Sequence, residues 1–236
     1  MHIYHSAFIL SDGKIEVVDN NKIDLEKLVG RICKASDALE HFMAIQESYA
    51  EIDRFIPWVH EMNTWSLQEH ADYLRFMSYS SSTIKNFLFF YEDKLVGAGH
   101  LHPSSWLNTA EISYWVRTGY QGHGIGEAIA TKMANHAYGN LGFRHSLFLI
   151  DRNNVGSKKI VENLGATLQL IYGYITHHGE HSNMVVYTLT SPLAQLAARY
   201  DDNYLFDPLS CMFTGFYFQA EWDTIQRLSM PNQEDN

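Results

Sequence analysis

The sequence predicts an α/β fold, in which a mixed β-sheet carries helices on both of its faces. Apolar runs of strand length alternate with segments of helical periodicity, in the order helix, hairpin strands, then β-α-β-α-β-β. Hydrophobic residues make up 46% and charged residues 19% of the 236-residue chain, a balance typical of a globular protein with a sizeable core. We therefore expect one domain over residues 1–191 and a C-terminal extension over residues 192–236.

The N-terminal part of the chain mixes strand and helix patterns. The predicted elements are a strand over residues 15–18 and helices over residues 24–33 and 37–44. Asp24 and Ser36 precede the two helices and are their expected N-caps. Ser66 and Glu69 fit a capping box, which predicts that a third helix begins after residue 66.

The middle and C-terminal parts carry clearer signals. Residues 87–91 and 95–101 are apolar runs joined by Glu92-Asp93-Lys94, which predicts a β-hairpin. The elements predicted beyond it are a strand over 110–116, a helix over 127–138, a strand over 146–150, a helix over 157–164 and an antiparallel strand pair over 168–176 and 184–189. Gly165 is expected to end the second of these helices in the left-handed conformation.

The charge and cysteine content narrow the functional classes. A net charge of −10 argues against a nucleic-acid-binding protein, which normally shows a basic stripe. The acidity suits a cationic substrate such as an amine or a basic peptide, or it serves solubility alone. Cys33 and Cys211 match no zinc or redox spacing and are expected to be free thiols. With no signal peptide and no apolar run of ~20 residues, a cytoplasmic protein that does not enter the membrane is expected.

The most informative motif is a glycine-rich hexad, Gln121-Gly122-His123-Gly124-Ile125-Gly126. It lies between a predicted strand and a predicted helix. Glycines there allow a tight turn whose N–H groups approach a ligand closely, and the helix N-terminus adds unpaired donors and a partial positive charge. The motif therefore predicts a phosphate site. There are two alternatives. One is a structural turn that binds no ligand, and the other is a dinucleotide fold with Asp151 as its acidic residue.

Together with its flanks, the hexad resembles the GNAT acyl-CoA N-acyltransferases, and within them the branch that acetylates ribosomal-protein N-termini (the RimJ/RimL type). The hexad satisfies the family pattern Gln/Arg-x-x-Gly-x-Gly/Ala. Residues 110–115, Ala-Glu-Ile-Ser-Tyr-Trp, are similar to the family's Ala-Glu-Ile-Gly-Tyr-Trp strand. Residues 154–157 and 162–165 are similar to its Asn-x-x-Ser…Glu-Lys-Leu-Gly segment. The resemblance is close over residues 83–190, looser over 15–82 and absent after 192.

The resemblance implies that acetyl-CoA is the cosubstrate. In the family, the pyrophosphate lies on backbone N–H groups of the turn, and the pantothenate arm pairs with the edge of the preceding strand. The implied cofactor-binding residues are Tyr114, Trp115 and Val116 on the strand, Gln121, Gly122, His123, Gly124, Ile125 and Gly126 in the turn, and Asn154 and Ser157 beyond it. Lys158 and Lys159 are either further phosphate partners or solvated charges.

Glu111 is the candidate general base, at the strand position where several family members keep one. Attack on a thioester requires a neutral amine, whereas amines are mostly protonated at pH 7. A carboxylate within reach, directly or through water, can take that proton. The alternative is a structural glutamate that pairs with a neighbouring side chain on the sheet.

Ser157 is the candidate partner of the departing CoA thiolate. Many relatives use a tyrosine on this helix, but residues 157–164 contain none, and the N-terminal-acetylating branch has a serine here. We expect its hydroxyl to donate a hydrogen bond to sulfur and also to cap the helix; a cap alone is the alternative.

The acceptor site is less well determined. The loop over residues 177–181 and the Pro57-Trp58 region are expected to form its wall. Three histidines in that loop have no spacing that fixes a metal-ligand set, so we expect no metal. Two departures from the family, Ser113 for glycine and Asn183 for aspartate, limit inference about the substrate.

The function that follows is direct transfer of an acetyl group from acetyl-CoA to a primary amine, with a protein N-terminus as the expected acceptor. A small amine (polyamine, aminoglycoside or amino acid) and a non-catalytic acyl-CoA-binding module are the alternatives. The aromatic extension over residues 192–236 is expected to pack on the domain or on a partner, including a second copy in a homodimer, with its last residues disordered.

Overall fold

A computed structural model of the chain describes residues 7–9, 15–17, 23–79, 85–104 and 108–192. The strands are β1 (Ala7–Ile9), β2 (Ile15–Val17), β3 (Val29–Ile32), β4 (Lys85–Tyr91), β5 (Lys94–Ser104), β6 (Thr109–Val116), β7 (His145–Asp151), β8 (Thr167–Ile175) and β9 (His181–Thr190). The α-helices are α1 (Ala38–Ile52), α2 (Leu67–Tyr79), α3 (Ile125–Gly139) and α4 (Val155–Asn163). Within these residues, no helix is long and apolar enough to cross a bilayer.

The strands form two sheets. β1 and β2 pair as an antiparallel ribbon. The other seven form one sheet in the order β3-β4-β5-β6-β7-β9-β8, antiparallel throughout except for the parallel pair β6 and β7. The mixed sheet and its helices confirm the predicted α/β class.

Two hydrophobic cores lie on opposite faces of the large sheet. On one face, α3 buries Ile129, Met133 and Ala137 against the sheet, and α4 joins this core through Val161. On the other face, α1 and α2 pack over a second core that includes Trp115. Because side chains alternate along a strand, β6 contributes to both cores, and this places it between the two layers.

The helix predicted over residues 24–33 is wrong. Leu25 to Lys27 form one turn of 3-10 helix, which Asp24 caps by accepting a hydrogen bond from the Glu26 N–H, and the chain then continues as β3. Apolar residues here recur at helical spacing, but residues 29–32 form a strand because they pair with β4. Gly30 fits this edge, because a Cβ there would lie 2.5 Å from the Phe89 ring.

The next helix exists but begins and ends later than predicted. Residues 35–37 are 3-10, α1 starts at Ala38, and Ser36 is not its cap. Asp37 occupies the N-cap position, yet its carboxylate accepts hydrogen bonds from the Arg31 guanidinium and from the Lys34 N–H. Burial would raise the pKa of Asp37, but these hydrogen bonds lower it.

The other predicted elements are present, although some bounds differ; α4, for example, begins at Val155 rather than at residue 157. Ser66 and Glu69 form the capping box at the start of α2, with the Ser66 N–H 2.6 Å from the Glu69 carboxylate. The hairpin joins β4 to β5, and Gly165 adopts a φ of 85° after α4. The strand over 15–18 is β2. Apart from Pro192, the predicted C-terminal extension lies outside the described residues.

Candidate active site

The parallel strands β6 and β7 pair over only the first part of their length. Their paired residues are Thr109 with His145, Ala110 with Ser146 and Glu111 with Leu147. Both strands continue beyond these pairs without pairing to each other, so a gap opens in the middle of the sheet. The edge of β6 that faces the gap retains unpaired backbone groups, because its other edge is paired to β5.

A cavity of about 810 Å³ occupies this gap. Its lining includes Tyr114 and Val116, which pack with the core under α3, and Trp58 and Trp115, which pack with the core under α1 and α2. Since these cores lie on opposite faces of the sheet, the cavity passes through it. Its volume suits a small-molecule or cofactor site.

The glycine-rich hexad forms the entrance on the α3 side. Gly122 and Gly124 have φ values of 79° and 81°, and Gly124 is the N-cap residue of α3. The Gln121 side-chain amide donates a hydrogen bond to the Val116 carbonyl at 3.2 Å, which links the turn to the end of β6. The first N–H groups of α3 have no partner within the helix, which leaves donors at the cavity.

The structure separates the predicted turn residues into two groups. Gln121, Gly122, Gly124 and Gly126 line the cavity. His123 and Ile125 do not belong to the lining, and the Ile125 side chain is buried in the α3 core. The prediction for these two residues concerned their backbone N–H groups, and it stays a prediction.

The start of α4 brings Asn154, Ser157 and Tyr114 together at the cavity. Asn154 is the helix cap, since its side-chain oxygen accepts a hydrogen bond from the Ser157 N–H at 3.1 Å. The expectation that Ser157 caps the helix is therefore wrong; it lies in the first turn. The Tyr114 hydroxyl is a neighbour that the sequence did not indicate. Burial raises the pKa of Tyr114 to about 12, and the Ser157 hydroxyl beside it acts in the opposite direction.

Glu111 is the last residue of β6 that pairs with β7, so its side chain lies where the gap opens. It is half-buried and lines the cavity. On β5 the opposite residue is His102, whose pKa burial lowers to about 4, so this imidazole brings no positive charge at neutral pH. On β8, Tyr172 has a pKa raised by burial and by the Glu111 carboxylate. The carboxylate is thus close to neutral polar groups and open to the cavity.

A family model described as an acetyltransferase (GNAT) domain matches residues 31–167, more than half of the chain. The protein belongs to the GNAT acetyltransferase family. This membership confirms the predicted enzyme class and excludes the dinucleotide fold. No curated protein sequence matches the chain significantly.

Solved structures of other acetyltransferases share this GNAT fold. RimL, a ribosomal L7/L12 α-N-protein acetyltransferase in complex with coenzyme A, is 16% identical with a TM-score of 0.64, over 71% of this chain and 97% of RimL. The microcin C7 self-immunity acetyltransferase MccE, in complex with acetyl-CoA and AMP, is 16% identical with a TM-score of 0.64, over 70% of this chain and 93% of MccE. A Salmonella typhimurium acetyltransferase that modifies the N-terminal serine of ribosomal protein L7/L12 is 16% identical with a TM-score of 0.61, over 72% of this chain and 98% of that enzyme.

The side of the GNAT cavity under α1 has a distinct composition. Pro57, Trp58 and His177 line it together, so the structure brings the two predicted wall segments to one place. Glu61 and Glu111 also line the cavity, and their carboxylates favour a cationic ligand. Of the two lysines considered for phosphate contact, Lys159 lines the cavity and Lys158 does not.

Two features of this GNAT site were not evident from the sequence. The Ser113 hydroxyl, where the family has glycine, is buried at the cavity without a hydrogen-bond partner among the described residues. Asp53, His60, His177 and His178 converge at the end of α1, with Asp53 buried and His60 and His177 in the cavity lining. Asp151, by contrast, is held by hydrogen bonds from Tyr174, Ser182 and the Asn153 N–H.

Proposed function

We propose that this GNAT protein transfers the acetyl group of acetyl-CoA to a primary amine, and that the amine is a protein N-terminus. The observation that carries the proposal is the cavity that passes through the sheet. It connects the glycine turn at the start of α3 with an acidic end under α1. A cofactor and an amine can therefore meet from opposite faces of the sheet.

The cofactor is assigned to the α3 side. The pyrophosphate lies on the N–H groups of the hexad and the first turn of α3, where the helix dipole favours an anion. The pantothenate arm runs along the unpaired edge of β6, from Val116 toward Ile112, and uses backbone groups. Asn154 contacts the arm from α4. The thioester then lies near Glu111, at the point where β6 and β7 separate.

Glu111 acts as the general base on the amine. The acidic end attracts the cationic amine, and Glu111 takes its proton directly or through water, which frees the nitrogen lone pair. The nitrogen forms a bond to the thioester carbon, and the bond from carbon to sulfur breaks. The nitrogen, positively charged after attack, loses its second proton to water or to the departing sulfur, which leaves a neutral amide. The departing electron pair resides on the CoA sulfur, which accepts hydrogen bonds from Ser157 and Tyr114.

Direct attack, without an acetylated cysteine, is supported by the position of Cys33. This thiol is buried, its pKa is raised to about 11 by burial, and it lies beside the Leu74 carbonyl in the core under α1 and α2. A nucleophilic cysteine needs a thiolate and access to the substrate, and Cys33 has neither. Cys211 lies outside the described residues.

An N-terminal α-amine is favoured over other acceptors by the enzymes with similar folds, two of which acetylate ribosomal protein L7/L12. MccE, solved with acetyl-CoA and AMP, favours a second candidate, a small-molecule amine. In both cases the acetyl donor and the cavity are the same, and the acceptors differ only in how far they extend from the acidic end.

A thiol-release assay tests the proposal. The full-length protein is incubated with acetyl-CoA and, separately, with N-terminal peptides, the same peptides blocked at the α-amine, and polyamine, aminoglycoside and amino-acid acceptors. We expect CoA release with unblocked peptides and none with blocked ones. Release with small amines alone would establish the second candidate. Acetyl-CoA binding by calorimetry with no acceptor accepted would contradict catalysis and favour an acyl-CoA-binding module.

The two hydroxyls at the sulfur position are tested by Ser157→Ala and Tyr114→Phe. Each should lower kcat by about 10- to 150-fold, because a hydrogen bond to a charged group contributes about 1.5–3 kcal/mol. The KM for acetyl-CoA should change little, since the thiolate develops only as the bond to sulfur breaks. Ser157→Thr, which keeps the hydroxyl, is the matched control and should restore most of the rate. A loss of thermal stability in Ser157→Ala with an unchanged kcat would contradict the assignment.

A further inference from the structure

Four side chains at the end of α1 form a cluster to which the proposed acyl transfer assigns no chemical step. Asp53 follows α1 directly, His60 lies between two short 3-10 turns, and His177 and His178 belong to the turn between β8 and β9. One potential ligand atom from each residue lies within 4.8 Å of all the others. We call these four residues the histidine–aspartate cluster.

The contacts within the cluster all converge on the Asp53 carboxylate. Its Oδ1 lies 3.1 Å from His60 Nδ1 and 3.3 Å from His177 Nε2. Its Oδ2 lies 3.2 Å from His178 Nε2. The imidazole rings are also close to each other, with centroids 3.9 Å apart for His177 and His178 and 5.6 Å apart for His60 and His177. Three nitrogens and a carboxylate thus face one small volume.

These separations fit the edges of a metal coordination polyhedron. Zinc binds imidazole nitrogen and carboxylate oxygen at ~2.0–2.2 Å, so two ligands of a tetrahedral ion lie roughly 3.3–3.5 Å apart. The oxygen–nitrogen distances of 3.1–3.3 Å are close to that edge. All four ligand atoms lie within 4.8 Å of one another, so the imidazole rings need to move only slightly toward a shared ion.

We propose that the histidine–aspartate cluster binds a divalent transition-metal ion of the zinc class. Three imidazoles with one carboxylate suit zinc, cobalt or nickel, whereas magnesium and calcium prefer oxygen ligands. Asp53 is buried, but His60 and His178 are exposed, which gives the ion a path from solvent. Among the described residues, this is the one group with such a ligand set.

The ion would fix the shape of the cavity under α1. His60 and His177 belong to the cavity lining, so coordination joins the β8–β9 turn to the end of α1 at that position. The metal site is inferred from these side chains alone and does not depend on acyl transfer. Its failure and the failure of the proposed function are therefore separate results.

Metal binding is measured on the full-length protein after treatment with a chelator. Calorimetric titration with zinc chloride should show one high-affinity equivalent, and titration with cobalt chloride should give visible absorption bands of a tetrahedral complex. His177→Ala and His178→Ala should each weaken zinc binding by at least tenfold, because each removes a ligand. Zinc should raise the melting temperature of the wild type and not that of His177→Ala.

The matched control is His181→Ala, which removes an exposed histidine beside the same turn but outside the cluster. It should bind zinc as the wild type does. Asp53→Asn tests the carboxylate ligand. If that variant does not fold, His60→Ala takes its place as the third variant that removes a ligand. Absence of zinc and cobalt binding in the wild type would overturn the proposal. Binding that persists in His177→Ala and His178→Ala, or that is lost in Cys211→Ser, would also overturn it.

Discussion

Replacing Glu111 by glutamine is expected to lower kcat/KM at pH 7 by about 100- to 1,000-fold, within the range contributed by a positioned general base. This corresponds to about 3–4 kcal/mol of transition-state stabilisation. The amide keeps the size of the side chain but cannot take a proton. Glu111 lies where β6 leaves β7 and lines the cavity, which is where the proposed function places the thioester and the amine.

The pH profile separates a base from a structural glutamate. An α-amine has a pKa of about 8, so only about a tenth of it is neutral at pH 7. If Glu111 is the base, the wild type binds the cation and deprotonates it in place, and we expect a flat profile around neutral pH. Glu111→Gln depends on amine that is already neutral, so its rate should rise about tenfold per pH unit up to the pKa of the acceptor.

Glu51→Gln is the matched control for loss of charge. Glu51 is exposed at the rim of the cavity and carries the same charge as Glu111. Its replacement should raise KM for the amine modestly through a weaker field and leave the shape of the pH profile unchanged. Equal effects of the two substitutions, with parallel pH profiles, would show that Glu111 acts only through its charge.

The parts of the site that could be predicted from the sequence are those encoded over short stretches. The hexad predicted a turn because positive φ values at Gly122 and Gly124 suit glycine. The capping box of Ser66 and Glu69 depends on residues three apart and forms as expected. In these two cases the residues of the stretch itself decide the local conformation, so the prediction did not depend on a distant partner.

Predictions failed where a distant partner decides the structure. Residues 29–32 pair with residues 87–90, and this pairing outweighs a helical pattern that is visible locally. At α4 the cap was predicted at Ser157, but Asn154, three residues earlier, holds that position. Both residue types can cap a helix, and the sequence does not say where the first turn begins.

The histidine–aspartate cluster also could not be predicted from the sequence, because its members are distant along the chain. Asp53 and His177 are 124 residues apart, and no spacing rule for metal motifs connects them. The sequence showed the histidines of the loop but not the carboxylate that they approach. Only the packing of the β8–β9 turn against the end of α1 brings the four side chains together.

Cofactor binding should be sensitive to a negative charge introduced at Gly122. This residue lines the cavity with a φ of 79°, and a Cβ built on it meets nothing within 4 Å. Aspartate and asparagine both tolerate the left-handed region better than other side chains. Gly122→Asp should therefore fold and place a carboxylate beside the proposed pyrophosphate position. Two unit charges about 4 Å apart repel by about 1–4 kcal/mol between bulk water and a protein surface.

We expect Gly122→Asp to raise the dissociation constant of acetyl-CoA by about tenfold to a hundredfold, equivalent to about 1.4–2.7 kcal/mol. Gly122→Asn has the same shape and the same backbone strain without the charge, so it should bind acetyl-CoA within a few-fold of the wild type. Calorimetric titration at two ionic strengths measures both variants, and added salt should reduce the difference between them. If Asp and Asn weaken binding equally, the effect is steric, and the pyrophosphate does not lie on this turn.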